Sequence, residues 1–292
     1  MDPVLFTINI GNFSLTVNWY GVILMTATLI AAWLTARELE RTGKDPDLLW
    51  DVLPILVITG VIGARLWYVT NDILGGNVRY LENPATILYT WEGGLHIFGA
   101  FLFGGIAFII YARKKQLNVW TLLDAVAPYL LIGQALARPA NFINQELYGP
   151  PTNLPWGISI GANHRIPPWN DLVQFPLETT RFHPTFAYEM LWNFLAGGLI
   201  IWISRKYEEK LRPGTLFFCW MILAGVGRVI IETFRPDQPV IPGTGLSYSR
   251  LVSLLLALIG GILILARFEK INLPFWKTSP AEETLESEEA QA

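Results

Sequence analysis

Arg138-Pro-Ala-Asn-Phe-Ile-Asn-Gln-Glu-Leu-Tyr-Gly149 follows an apolar run, Val119 to Leu136, that is long enough to cross a bilayer. Within this stretch lie a cation (Arg138), two carboxamides (Asn141, Asn144) and a carboxylate (Glu146), before a helix-stopping Gly149-Pro150. Hydrogen-bonding groups this dense at a bilayer edge are costly unless something polar binds there. If the stretch is helical, Arg138, Asn141 and Asn144 recur at i, i+3 and i+6 and share a broad face. That face offers a positive fork and several neutral donors, which suit a phosphate better than a metal ion. Glu146 is either a general base or the ion partner of Arg138.

Composition agrees with a membrane setting. Of 292 residues 52% are hydrophobic and only 15% charged, against about 25% charged in soluble domains. Mean hydropathy is +0.38. Twelve Trp and ten Tyr fit aromatic belts at two interfaces. The net charge of −3 says little, because the tail 281–290 alone supplies five acids. A lone cysteine, Cys219 in an apolar run, excludes an intramolecular disulfide and a cysteine metal site and predicts no reactive thiol. Met-Asp-Pro-Val-Leu-Phe at the start lacks a basic n-region, so no cleavable signal peptide is expected.

The spacing predicts an all-α integral membrane protein with about seven spans, near 17–36, 48–70, 94–112, 119–137, 185–204, 215–233 and 246–267. Each approaches the roughly 20 residues that cross the hydrocarbon layer. Pro54 and Pro128 fall inside two of them and are tolerable where neighbouring helices satisfy the freed backbone. Thirteen Lys and Arg follow spans one, three, five and seven, and six lie in the other connections. That bias predicts an external N-terminus and a cytoplasmic C-terminus. The connection 138–184, rich in Pro, Gly, Asn and Trp, is expected to form an outer-side cap. Residues 1–277 read as a single catalytic domain, and 278–292 as an acidic, disordered cytoplasmic tail.

Arg65, Arg138, Arg228 and Glu232 lie in or at the rim of spans, with Arg235 close behind. Arg228, Glu232 and Arg235 at i, i+4 and i+7 read either as a self-neutralising ladder or as part of an anion site. With Arg138 added, arginines outnumber intramembrane carboxylates, and a phospholipid head group is the anion at hand. His96, in Gly93-Gly-Leu-His-Ile-Phe-Gly99, either moves protons or bonds a carbonyl at the interface. His183-Pro-Thr-Phe-Ala-Tyr-Glu189 reads as a helix start, with Thr185 as N-cap and Glu189 in the first turns. Tyr20 reads as a belt aromatic. No hydrolase elbow, zinc-protease motif or P-loop is present. An enzyme built from these residues lacks its own nucleophile and would bring two substrates together.

At these residues the sequence resembles the bacterial prolipoprotein diacylglyceryl transferase family. The most specific match is Arg138-x-x-Asn141-Phe-Ile-Asn144-x-Glu146-Leu-Tyr-Gly149. It is joined by Trp19-Tyr20-Gly21, Gly63-Ala-Arg65-Leu, Trp91-x-Gly-Gly94, Pro151-Thr-x-Leu-Pro-Trp156, His183-Pro-Thr185 with Tyr188-Glu189, and the run holding Arg228, Glu232, Arg235 and Asp237. The resemblance implies transfer of the diacylglyceryl group of phosphatidylglycerol to the lipobox cysteine thiol of a preprolipoprotein. A thioether forms and glycerol phosphate leaves, the first step of bacterial lipoprotein maturation. It implies a multi-pass protein of the plasma (inner) membrane that needs no cofactor or metal. Its partners are phosphatidylglycerol, membrane lipid and the signal peptide with its lipobox, and not nucleic acid. By the resemblance Arg138, Glu146, Arg228, His96 and Tyr20 carry the reaction. Arg138, Asn141, Asn144, Gly149, Glu232, Arg235 and Arg65 bind the lipid. Phe98 and Ala224 depart from the family, which often has histidine and tyrosine there. Either the reaction needs no dedicated base, or the base lies elsewhere, at Glu146 or His96, or the chain is a weak or altered paralogue. The competing functions are a lipid or small-anion transporter and a non-catalytic lipid-binding paralogue.

Overall fold

The computed structural model describes residues 2–10, 13–90, 93–235 and 238–273. Trp91, Asp237 and the acidic tail, all singled out in the sequence, lie outside the described residues. Among the described residues, seven helices are long and apolar enough to cross a membrane. They are α1 (Trp19–Arg41), α2 (Asp47–Leu74), α4 (Ile97–Lys114), α5 (Val119–Ala137), α7 (Thr185–Lys206), α8 (Thr215–Glu232) and α9 (Tyr248–Arg267). Two short helices, α3 (Arg79–Glu82) and α6 (Pro139–Ile143), lie between them. All seven expected spans are present, with ends shifted by a few residues. Pro54 and Pro128 both sit inside continuous helices.

An antiparallel hairpin, β1 (Val4–Ile10) and β2 (Phe13–Asn18), precedes α1 and was not expected. Its register pairs Phe6 with Val17 and Thr7 with Thr16. Like residues therefore share a face, which is the arrangement period-two alternation produces.

The chain forms two compact units, residues up to Ala27 with those from Leu130 onward, and Thr28–Tyr129. In the second unit Ala32, Ala36, Leu39, Leu49, Val52, Ala112, Leu122 and Ala125 make the core. Asn118 caps α5, its Oδ1 accepting from Trp120 N at 2.9 Å. Tyr129 donates to Glu38 Oε2 at 2.9 Å and Arg41 to Glu38 Oε1 at 3.0 Å, so both oxygens of this buried carboxylate are engaged. Helices α2 and α4 touch at Gly63 and Gly99, where a Cβ on either would overlap the other's carbonyl oxygen. Small residues at such crossings let backbones approach where lipid removes the hydrophobic drive between helices.

In the first unit Leu131, Ala196, Ile200 and Leu216 join α5, α7 and α8. Ser247 caps α9, accepting from Arg250 N at 3.0 Å. Residues 138–184 carry their own small core of Tyr148, Ile160, Trp169 and Phe182. Buried Arg165 braces it, donating to Ile160 O at 2.9 Å and lying over the Phe182 ring at 5.0 Å.

Candidate active site

The helix of α5 ends at Ala137, and Arg138 turns the chain into α6 with helical backbone angles. Pro139 at the first position of α6 costs nothing, because that N–H has no helical partner. Arg138 Nη1 then reaches Asn141 Oδ1 at 3.3 Å. Asn141, 5% exposed, donates to Glu146 Oε1 at 2.8 Å, and Asn144 Nδ2 lies 3.4 Å from the same oxygen. Arg138, Asn141 and Asn144 do share a face, and Glu146 is its other wall.

Arg138 does not pair with Glu146, as one reading of the sequence had it. Its ion partner is Glu189, in the second turn of α7. The amides of Asn141 and Asn144 occupy Glu146 instead. Glu189 therefore does more than open a helix. Thr185 is no N-cap: its hydroxyl donates to Phe234 O at 3.4 Å, and α7 starts without a side-chain cap. Arg138 keeps donor capacity, since its buried Nε has no hydrogen-bond partner.

The second half of the cluster comes from α8. Arg228 Nε lies 3.1 Å from Glu232 Oε2 and donates to Ser249 Oγ at 2.9 Å. Glu232, 5% exposed, accepts from Ser247 Oγ at 2.6 Å through Oε1. The charges of Arg235, Glu232, Glu189 and Arg138 all act on the Arg228 guanidinium. The expectation that carboxylates are too few is thus corrected: Glu189 and Glu232 answer Arg138 and Arg228. Arg235 is a third cation in the same field. Among the described residues, Glu146 is the cluster's one carboxylate with no arginine.

Gly149 joins three segments. Its N–H donates to His183 O at 2.8 Å. A Cβ there would stand 2.7 Å from Thr185 Oγ1, 2.8 Å from Phe234 O and 3.0 Å from His183 Cβ. Beside it Tyr188 OH receives Trp156 Nε1 at 2.8 Å and meets His183 Nδ1 at 2.9 Å, with Phe234 against both rings. Gly149→Ala is expected to destabilise the protein by about 1–3 kcal/mol, read as a lower unfolding temperature in detergent. Gly198→Ala, where nothing lies within 4 Å, is expected to leave it within about 0.5 kcal/mol.

In the other unit, Arg65 is 6% exposed and donates to Ile87 O, Gly93 O, Gly94 O and Thr86 O at 2.7, 2.8, 3.1 and 2.8 Å. The resemblance counted Arg65 among the lipid-binding residues; here its guanidinium is turned to backbone carbonyls. Its guanidinium is nearly saturated by them and tethers Thr86, Ile87, Gly93 and Gly94. His96 precedes α4 in an extended conformation, so its ring stacks on Phe98 at 5.3 Å between centroids. A shared helix face is not required for that contact. Its Nδ1 is buried with no hydrogen-bond partner, so no carbonyl receives it. Tyr20 lies in the first turn of α1 and is exposed, beside a recess of 490 Å³ lined by Asp2, Val4, Trp19, Ile23 and Ile143.

Fold and site together define a multi-pass membrane protein with a cluster of arginines, carboxylates and amides at the ends of its helices. A family model described as prolipoprotein diacylglyceryl transferase matches residues 3–266. The phosphatidylglycerol–prolipoprotein diacylglyceryl transferase of Chloroflexus aggregans is 36% identical over 276 residues, covering 90% of this chain and 89% of its own. The protein of that name from a Nostoc species is 39% identical over 227 residues, covering 77% and 76%. That from a Synechocystis species is 36% identical over 282 residues, covering 94% and 92%. The chain belongs to the prolipoprotein diacylglyceryl transferase family.

Proposed function

We propose that the protein transfers the diacylglyceryl group of phosphatidylglycerol to the lipobox cysteine thiol of preprolipoproteins. The observation that carries this reading is that Arg138 and Arg228, each tethered by one carboxylate, act on one another electrostatically, with the Arg138 Nε unspent. The thiolate sulfur attacks the sn-3 carbon of the lipid, and the bond from that carbon to the phosphate oxygen breaks. The leaving glycerol phosphate gains negative charge as it departs. Arg138 and Arg228 stabilise that growing charge more strongly than the single charge of the bound lipid, which is what accelerates the step. Arg235 adds to the same field.

Glu146 takes the thiol proton. It is the carboxylate of the cluster not spent on an arginine, and Asn141 and Asn144 hold it by one oxygen. Glu189 and Glu232 position the two arginines. Gly149 keeps the His183 and Phe234 segments closed around the site, and the apolar recess beside Tyr20 takes lipid chain.

The protein lies in the bacterial plasma membrane with the site on the outer face, where the lipobox emerges. Clustering of basic residues supports this orientation. Within one unit Arg41 and Lys115 flank helix ends that share the Leu39–Leu49–Ala112 core. Within the other, Arg212 bonds Arg267 O and Glu269 at 2.7 Å each. Residues 1–277 act as one catalytic domain, as the family match across both units suggests.

The test is stoichiometry. Purified protein, phosphatidylglycerol and a lipobox peptide are expected to release one glycerol phosphate per thioether formed. Glycerol phosphate without thioether would mean a phospholipase. Binding without either product would mean a lipid-binding scaffold.

A further inference from the structure

Asn193 lies four residues after Glu189 on α7, and so on the same face one turn further along. It is 4% exposed, and its Nδ2 has no hydrogen-bond partner. The next residues on that face, Ala196 and Ile200, pack with Leu131 and Leu216. Leu131 itself stands seven residues, two turns, before Arg138 on α5. Passing along α7, the buried face therefore reads ion pair, amide, apolar core. Asn193 marks the depth at which polar side chains give way to that apolar core. A buried amide donor left unmatched is costly and calls for an explanation. Neither a helix cap nor an ion pair uses this one.

The lipid assigned to this site carries acceptors at two depths. Its phosphate oxygens meet Arg138. Below them, towards the acyl chains, are the ester carbonyls of the glycerol backbone. One helix turn is about 5.4 Å, within the roughly 5–8 Å of each polar interfacial layer of a bilayer. We infer that Asn193 Nδ2 donates to an ester carbonyl of bound phosphatidylglycerol, one turn below the phosphate held by Arg138. This rests on the transferase reading of the cluster. Asn193 is then a positioning residue. The sn-3 carbon lies between the two anchored groups, so holding both fixes the carbon that sulfur attacks.

The experiment compares phosphatidylglycerol carrying ester-linked chains with an analogue carrying ether-linked chains, which lacks the carbonyls. Full-length wild type, Asn193→Leu (similar volume, no donor) and Asn193→Ser (donor kept) are purified in micelles. Lipid binding is read from lipid-dependent stabilisation, and transfer from KM and kcat. Wild type is expected to bind the ester lipid roughly three- to tenfold more tightly than the ether lipid. Asn193→Leu is expected to bind both at the ether level and to raise KM for the ester lipid by the same factor. Asn193→Ser is expected to recover part of the preference. An Asn193→Leu protein that keeps the ester preference, or loses both lipids equally, overturns the proposal. So does a wild type without preference, a comparison that needs no variant to fold. Wild type that binds the ester lipid preferentially but forms no thioether overturns the transferase reading and leaves the contact standing. Wild type that binds neither lipid overturns both.

Discussion

Arg138→Ala is expected to lower transfer by about a thousandfold, with the protein still folded. The side chain is asked to do two things at once. In the proposed reaction it meets the lipid phosphate in the ground state, and a greater charge when glycerol phosphate leaves. Truncation also frees Glu189, whose carboxylate then faces the incoming phosphate with no cation between them. Arg138→Lys is expected to recover less than about a tenth of the lost rate. An ammonium supplies charge, yet it cannot serve Asn141 Oδ1, Glu189 and a phosphate from one planar fork. Thermal unfolding of both variants in detergent separates loss of chemistry from loss of fold. A lysine variant at wild-type rate would show that only the charge at this position matters.

The second large effect divides the two candidates for the base. Glu146→Gln is expected to lower kcat by at least about a hundredfold, as removal of a general base does. The substitution keeps volume but replaces the carboxylate proposed to take the thiol proton with an amide that cannot take one. His96→Ala is expected to stay within about threefold of wild type, a loss of packing against Phe98 and not of chemistry. The structure motivates this order. Glu146 sits in the arginine cluster and has no arginine partner, whereas the His96 ring is held among Trp67 and Phe98 with its Nδ1 enclosed. Equal losses in the two variants would mean the proton leaves through both residues. A loss confined to His96→Ala would reverse the assignment.

The membrane spans are legible in the sequence because a bilayer tolerates only long apolar segments with internally satisfied backbones. Helices α4 and α9 show this plainly, and Pro54 and Pro128 do not interrupt their helices. The hairpin carries a signal too, the alternation Phe6-Thr7-Ile8-Asn9 answered by Ser14-Leu15-Thr16-Val17 around Gly11-Asn12. It is easily missed beside a stronger helical pattern. The face of Arg138, Asn141 and Asn144 is legible because all three lie within two helical turns. Its partner Glu189 is not, since it comes 51 residues later and only folding brings it near. Arg65 misleads for a different reason. An arginine inside a span suggests an anion, yet the acceptors it meets are the carbonyls of Thr86, Ile87, Gly93 and Gly94, and backbone groups leave no mark in a sequence. Asn193 is the converse case. One carboxamide in an apolar helix says nothing until its burial and its unmatched donor are known.

The most direct measurement is the mass of a lipobox peptide after incubation with the purified protein and phosphatidylglycerol. The expected product is heavier by one diacylglyceryl group, attached to the cysteine sulfur and stable to thiol reagents, as a thioether is. A lipobox peptide with serine in place of that cysteine is predicted to stay unmodified. Recovery of the cysteine peptide at its original mass, from protein that remains folded and binds phosphatidylglycerol, would contradict the account.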